Sequence, residues 1–178
     1  VWSKDRDLRA EGFSIDDSTI QSALSTFLAR TERASKVSEL LQIEAQLTKQ
    51  LYKTAANHTQ YDGFTRERDA QDTANAFLNH GNYLAYGLAA TTLWVLGIPH
   101  GFAVMHGKTR RGALVFDVAD LIKDALVLPW AFICAKEGAS EQEFRQQCLQ
   151  AFTNHKALNF MFDQVKSVAL TTDWTSEP

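Results

Sequence analysis

The chain has 178 residues, 45% of them hydrophobic and 22% charged, which suits one folded domain. Its 18 lysines and arginines face 21 aspartates and glutamates, for a net charge of −3. This balance excludes nucleic-acid binding by overall charge, so any polyanion would have to meet a local basic cluster. Cys134 and Cys148 lie in apolar helical sequence and are typical of reduced core residues in a cytoplasmic protein. No apolar run is long enough to cross a membrane.

The first half of the chain predicts three helices after a charged N-terminal stretch. Residues 1–16 are aperiodic, which indicates a lead-in or a linker. Asp17–Thr19 could cap a first helix. A second helix is expected from about Glu32 to Ala56, and a long third helix after Asp72.

The second half predicts two more helices. The fourth covers about Leu114–Lys136, with Pro129 bending it or splitting it in two. Ser140 followed three residues later by Glu143 is typical of a capping box, which opens a last helix. Because alternating β-branched residues are nearly absent, we predict an all-α domain of five or six helices over residues 17–178.

One carboxylate interrupts the apolar face of the second helix. Leu40, Leu47 and Leu51 recur at helical spacing, and Glu44 falls on the same stripe. A buried carboxylate without a partner is costly, so three interpretations remain open. Glu44 reaches water at the edge of the stripe, pairs with a lysine such as Lys49, or faces the core as a metal or acid–base ligand.

Three aspartates follow one another on the fourth predicted helix. On a helical wheel, Asp117, Asp120 and Asp124 fall within one narrow arc of an otherwise largely apolar helix. Such a helix tends to be buried, and a buried acidic stripe needs a cation or a basic partner. A solvated polar face is the alternative interpretation.

A basic loop precedes these aspartates and contains a histidine. His106 together with aspartate and glutamate is a ligand set suited to Mg²⁺ or Mn²⁺. Lys108, Arg110 and Arg111 beside it could make charge-assisted contacts to phosphates. The combination favours metal-assisted phosphodiester chemistry.

Four stretches of the chain resemble the CRISPR-associated integrase, the metal-dependent adaptation endonuclease that inserts new spacers into CRISPR arrays. They are IEAQLTKQLYK, NAFLNHGNYLAYG, FAVMHGKTR and LVFDVADLIKDALVLPWAF. The stretches occur in the family's order at compatible spacing, and the likeness covers most of residues 35–135. It looks closest to the type I-F branch.

The resemblance implies a catalytic metal site. It assigns Glu44, His106 and Asp120 as both the metal ligands and the catalytic residues, with Mg²⁺ or Mn²⁺ as the cofactor. The implied reaction is a phosphodiester transesterification, in which the 3′-hydroxyl of an incoming DNA end attacks a backbone phosphate of the array.

The same resemblance gives supporting roles to two residues near the expected metal ligands. The resemblance implies that Asp117 supports the metal site and that Tyr86 lies near it and helps to position DNA. Asp124 is expected to be ordinary surface.

The resemblance also implies partners and a cellular setting. They are double-stranded DNA, a homodimer in the complete protein, and a companion adaptation subunit that is fused to the helicase-nuclease in type I-F. The expected setting is antiviral defence in the cytoplasm. We expect this chain to be the C-terminal helical catalytic domain, without the family's N-terminal β-rich domain.

Two other functions remain open at this point. One is a non-catalytic helical module that binds DNA or protein, in which Glu44 would lie far from His106 and Asp120. The other is a metallohydrolase of small molecules, which would need an enclosed apolar pocket.

Overall fold

The computed structural model describes residues 1–67, 69, 72–102, 104–105 and 111–171. Within this part the chain forms eight α-helices and one π-helical segment, and no strand, so the predicted all-α class is confirmed. The helices are α1 Arg6–Ala10, α2 Asp17–Thr31, α3 Val37–Thr59, α4 Thr73–Val95, α5 Ala113–Ile122, α6 Leu128–Glu137, α7 Glu141–Asn154 and α8 Ala157–Thr171. The π-helical segment, Lys123–Val127, joins α5 to α6.

The helices are more numerous than the five or six predicted. The predicted helix Leu114–Lys136 consists of α5, the π-helical segment and α6. The last predicted helix divides into α7 and α8 where Lys156 takes a left-handed backbone conformation, with φ of 50°. A residue in that conformation cannot continue a right-handed helix. The short helix α1 adds one more element.

The π-helical segment lies just before Pro129. Because proline has no N–H group, the carbonyl of Ala125 lacks the donor that a regular helix would supply. The indole Nε1–H of Trp2 donates to that carbonyl at 3.1 Å. The backbone N–H of Leu128 bonds to the carbonyl of Lys123, five residues back, as in a π-helix. Packing from the N-terminus thus stabilises a widened turn next to the aspartates.

Residues 1–16, interpreted from the sequence as a lead-in or linker, pack against the other helices. Leu8 and Phe13 are 1% exposed and belong to the same core as α4 and α6. Asp5 caps α1 by accepting a hydrogen bond from the N–H of Leu8 at 2.8 Å, and it also pairs with His155 after α7.

Helix α4 is the central element. It contacts α5, the π-helical segment, α6, α7 and α8. At Gly81 an added Cβ would collide with Val127 Cγ1 and lie 3.0 Å from Phe144 Cζ, so glycine permits a close approach there. Phe77 stacks on Phe144 with ring centroids 4.6 Å apart. Helix α3 packs on α2 and α6 and leaves one face toward α4 and α5.

None of the helices in the described residues has the length and hydropathy needed to cross a membrane.

Candidate functional site

A cleft of about 650 Å³ lies between α3, α4 and the junction of α5 with the π-helical segment. Its lining is about half polar and half apolar and includes groups of both charges. Side chains that define it are Glu44, Thr48, Lys49, Arg66, Asn79 and Lys123. An open, charged cleft suits an extended anionic ligand better than a small apolar one.

Glu44 and Asp120 come from different helices and meet at the ammonium group of Lys123. The Nζ atom of Lys123 lies 2.5 Å from Asp120 Oδ1 and 3.9 Å from Glu44 Oε1. The Glu44 side chain is 31% exposed, so it lies at the edge of the apolar face of α3. It also forms an ion pair with a lysine, as one interpretation of the sequence proposed, and this lysine is Lys123. Asp120 Oδ1 is shielded from solvent, and within the described residues Lys123 stabilises its charge.

The charges of this cluster shift the pKa values of its members. Burial acts to lower the pKa of Lys123, but the carboxylates of Asp120, Asp124 and Glu44 outweigh it and raise that pKa. Burial raises the pKa of Asp124 in spite of the nearby Lys123 ammonium, and the charge of Asp120 adds to the rise. The hydroxyl of Thr48 donates to Asp124 Oδ2 at 3.2 Å. The expectation that Asp124 is ordinary surface was therefore wrong, because α3 covers it.

Asp117 lies one turn before Asp120 and contacts a different part of the chain. Its Oδ2 accepts hydrogen bonds from the backbone N–H groups of Val104 and Met105, each at 3.2 Å. These two residues directly precede His106 in the sequence. A carboxylate that holds the start of this loop is physically suited to the predicted supporting role, which stays a prediction.

The loop before α5 contains four of the predicted site residues. His106, Lys108 and Arg110 lie outside the described residues. Arg111 is exposed, next to Gly112, whose left-handed backbone conformation with φ of 69° precedes α5. The described residues alone contain no group of three His, Cys, Asp or Glu side chains arranged to hold a metal ion.

The donor chemistry nevertheless fits a divalent metal. Glu44 and Asp120 supply hard carboxylate oxygens, the ligand type that Mg²⁺ and Mn²⁺ prefer. Oxygens of both carboxylates already lie near the ammonium of Lys123. Two ligands of one metal ion would likewise have to lie near a common point. A third ligand has to come from elsewhere in the chain.

Tyr86 lies on the wall of the same cleft as Glu44 and Lys123. Its ring packs edge-on against Phe116 at 4.7 Å and against Tyr83 at 6.0 Å. Tyr83 is 74% exposed, so the pair extends from the cleft to the surface. A contact between Tyr86 and DNA stays a prediction.

Arg66 is a functional candidate that the sequence analysis did not single out. Its guanidinium donates to Asn75 Oδ1 at 2.8 Å, to Asn79 Oδ1 at 2.6 Å and to the carbonyl of Glu67 at 3.0 Å. These acceptors are neutral, so they orient the guanidinium without neutralising it. In the sequence Arg66 is one basic residue in a polar loop, and no spacing signal distinguishes it from ordinary surface.

Buried Asn75 fixes the loop that carries Arg66. Its side chain is 0% exposed, and its amide nitrogen donates to the carbonyl of Thr65 at 2.8 Å and to Asp72 Oδ2 at 2.7 Å. Its oxygen accepts from Arg66 and from the backbone N–H of Glu67. Every polar atom of the side chain is thus satisfied, as burial requires.

Comparison with known proteins identifies close sequence relatives. Residues 8–165 match the family model described as CRISPR associated protein Cas1. The chain is 54% identical over 170 residues to the CRISPR-associated endonuclease Cas1 of Pseudomonas aeruginosa and 52% identical to that of Pectobacterium atrosepticum. Each alignment covers 94% of this chain and 52% of the relative. The chain therefore spans about half the length of the curated relatives it matches.

Solved structures share the helical arrangement. A crystal structure of a TtCas1–DNA complex superposes with a TM-score of 0.70 at 22% identity, over 99% of this chain and 69% of that chain. A crystal structure of TtCas1 gives a TM-score of 0.68 at 21% identity, over 97% and 67%. At this level of identity the likeness demonstrates a common fold.

Proposed function

The chain belongs to the CRISPR-associated Cas1 family, and on that premise we propose that it is the helical catalytic part of a divalent-metal-dependent DNA endonuclease and integrase. The names of the two curated relatives support the endonuclease class. The observation that carries the finer proposal is the convergence of Glu44 and Asp120 on one positive charge in an open cleft.

In this proposal Glu44, His106 and Asp120 hold one Mg²⁺ or Mn²⁺ ion. Two carboxylates and one imidazole form a donor set that accepts either metal. When bound, the metal supplies Lewis acidity and lowers the cost of negative charge on the attacking and leaving oxygens of a phosphodiester.

The chain's own residues bind and orient the DNA backbone. Arg66, held by neutral acceptors, presents a fixed charge to phosphate in the cleft. Lys108, Arg110 and Arg111 add positive charge beside His106 in the sequence. Asp117 fixes the start of their loop through the N–H groups of residues 104 and 105.

The reaction exchanges one phosphodiester bond for another. The 3′-hydroxyl of the incoming DNA end attacks a phosphorus atom at the leader–repeat junction and loses its proton to solvent, and a bond forms between this phosphorus and the attacking oxygen. The bond from phosphorus to the original 3′-oxygen breaks, and the leaving oxygen takes up a proton. With water as the nucleophile the same site would act as a nuclease.

Partners follow from the same proposal. Double-stranded DNA is the substrate, which the existence of a TtCas1–DNA complex supports. We also propose a homodimer in the complete protein, a companion adaptation subunit fused to the helicase-nuclease, and a cytoplasmic location.

The two rival functions are less well supported. A small-molecule metallohydrolase would need an enclosed apolar pocket, whereas Glu44 lies in a cleft that is partly open and lined by groups of both charges. A non-catalytic module would make this ion-pair cluster purely structural, and it does not agree with the endonuclease names of the two relatives.

The test is Mn²⁺-dependent strand transfer by the full-length protein with Glu44→Gln, His106→Ala or Asp120→Asn. Each variant should lose at least about 100-fold in rate, because the charge-stabilising group is lost. Asp163→Asn, an exposed carboxylate on α8, is the matched control and should keep the wild-type rate. Retained activity in all three variants would overturn the assignment. DNA binding without strand transfer in the wild type would favour the non-catalytic module.

A further inference from the structure

Lys123 is the charged residue at the centre of the cleft that the proposed reaction leaves without a role. It is the first residue of the π-helical segment, and its side chain is 17% exposed. Most lysine side chains keep their ammonium in water because desolvation is costly. This one is held inside by ion pairs to Asp120 and Glu44.

The ammonium occupies the place where two carboxylates converge. Its Nζ lies 2.5 Å from Asp120 Oδ1, an atom shielded from solvent, and 3.9 Å from Glu44 Oε1. A Mg²⁺ ion would have to approach the same oxygen to about 2.1 Å. Two cations cannot share that oxygen closely without strong mutual repulsion.

The charge of a third carboxylate also acts on the same lysine. Asp124 is half-buried one residue along the chain, and its charge acts on the Lys123 ammonium. One ammonium therefore faces three carboxylates and offsets the charge of one. Lysine has a flexible stem of four carbons, so the ammonium can change partners while its backbone stays in place.

We propose that Lys123 is an exchangeable counter-ion of the metal site, which bridges Glu44 and Asp120 until a divalent cation displaces it toward Asp124. The inference rests on the proposed function, since it needs a metal at these carboxylates. Lys123 keeps like charges from repelling each other before the metal binds, and it makes metal binding weaker than bare carboxylates would.

The test compares Mn²⁺ binding by the full-length wild-type protein and its Lys123→Met variant in isothermal titration calorimetry. Methionine keeps the length of the side chain and removes the charge. The variant should bind Mn²⁺ about tenfold more tightly, because a competing charge is gone. It should melt at a lower temperature than wild type without metal and show a larger upward shift with Mn²⁺.

Two controls separate this inference from the metal site itself. Lys53→Met removes an exposed lysine from α3 and should leave the dissociation constant close to the wild-type value. Glu44→Gln should abolish or greatly weaken binding. One outcome would be that wild type binds Mn²⁺, Glu44→Gln does not, and Lys123→Met binds no more tightly than wild type. The proposed exchange would then be overturned, while the metal site would stand. If neither wild type nor Lys123→Met binds, both are overturned.

A measurement on the wild-type protein covers the case in which Lys123→Met fails to fold. Lysine acetylation by a small reagent, followed by peptide mass spectrometry, reports how readily each lysine amine reacts with the reagent. Saturating Mg²⁺ should increase the modification of Lys123 several-fold, because the side chain loses the ion pairs that hold it to Asp120 and Glu44, and leave Lys53 unchanged. Equal modification of Lys123 with and without Mg²⁺ would contradict displacement.

Discussion

Helices α3 and α4 both have 23 residues, but they contribute to the protein in opposite ways. Helix α4 buries nine residues and contacts most of the other helices, whereas α3 buries four. The less buried helix carries Glu44 and Thr48, which face the cleft. Reactive groups need a face that a substrate can reach, and the central helix provides the rigid support behind it.

The two helices contact different residues of the same π-helical segment. Lys123 and Asp124 interact with Glu44 and Thr48 on α3. Val127, four residues after Lys123, is fully buried against Gly81 on α4. Packing against α4 therefore sets where the charged cluster lies, and changes in the two helices should have separable effects.

The largest expected effect is a loss of rate without a loss of stability in α3. Glu44→Gln should lower Mn²⁺-dependent strand transfer at least about 100-fold. It should change the free energy of unfolding by less than about 1 kcal/mol, because Glu44 is partly exposed and lies 3.9 Å from the Lys123 ammonium, which keeps Asp120 as its closer partner. Strand-transfer assays and urea denaturation measure the two. A matching loss of stability would mean that Glu44 is mainly structural.

A substitution in α4, Asn75→Ala, should affect both stability and activity. Asn75→Ala should cost about 2–4 kcal/mol in unfolding free energy, because several buried partners lose their hydrogen bonds. It should also slow strand transfer, since Arg66 loses an acceptor. Asn82→Ala, a half-buried asparagine of the same helix, should change stability by about 0.5 kcal/mol or less. Full activity in Asn75→Ala would remove Arg66 from the proposed site.

Two glycines of α4 give a smaller and more sharply controlled effect. Gly81→Ala should destabilise the fold by about 1–3 kcal/mol, because the new methyl group meets Val127 and Phe144. Gly87→Ala adds the same methyl group where nothing lies within 4 Å and should stabilise the helix by about 0.5–1 kcal/mol. Thermal melting of both variants measures the contrast. Equal effects would show that α4 does not pack closely at Gly81.

The smallest effect is expected at Asp5, which caps α1 and pairs with His155. Burial acts to raise the pKa of Asp5, but hydrogen bonds from Leu8 and His155 outweigh it and hold that pKa below its ordinary 3.8. Asp5→Ala should cost about 1 kcal/mol at neutral pH through the lost helix cap.

The same variant has a predicted pH dependence. A lowered pKa stabilises the folded state fully above pH 3.8, and that contribution disappears as the pH falls through the lowered value. The difference in melting temperature between wild type and Asp5→Ala should therefore shrink in acid. A difference that stays constant with pH would show that the carboxylate's charge is irrelevant.

Local signals in the sequence predicted most of the helices. The Ser140–Glu143 capping box is present at the start of α7, and Asp72 caps α4 through the N–H of Asn75. The widened turn at Lys123–Val127 was not predictable, because it depends on Trp2, which is distant in sequence and donates to Ala125. The burial of residues in the first 16 positions was hidden by their charged, aperiodic pattern.

The candidate site was predictable where a residue broke a pattern. Glu44 interrupts an apolar stripe and Asp120 lies on a largely apolar helix, and the structure brings both to Lys123. Arg66 breaks no pattern in its loop, so only its contacts with Asn75 and Asn79 reveal it. The same holds for Asp124, which is covered by a helix far away in sequence.

Anomalous diffraction from crystals of the full-length protein grown with Mn²⁺ tests the central claim most directly. The account predicts one anomalous peak, from a Mn²⁺ ion that lies about 2.1–2.2 Å from carboxylate oxygens of both Glu44 and Asp120. His106 should be a further ligand of this ion. A peak elsewhere, or no peak at saturating Mn²⁺ with both carboxylates still on Lys123, would contradict it.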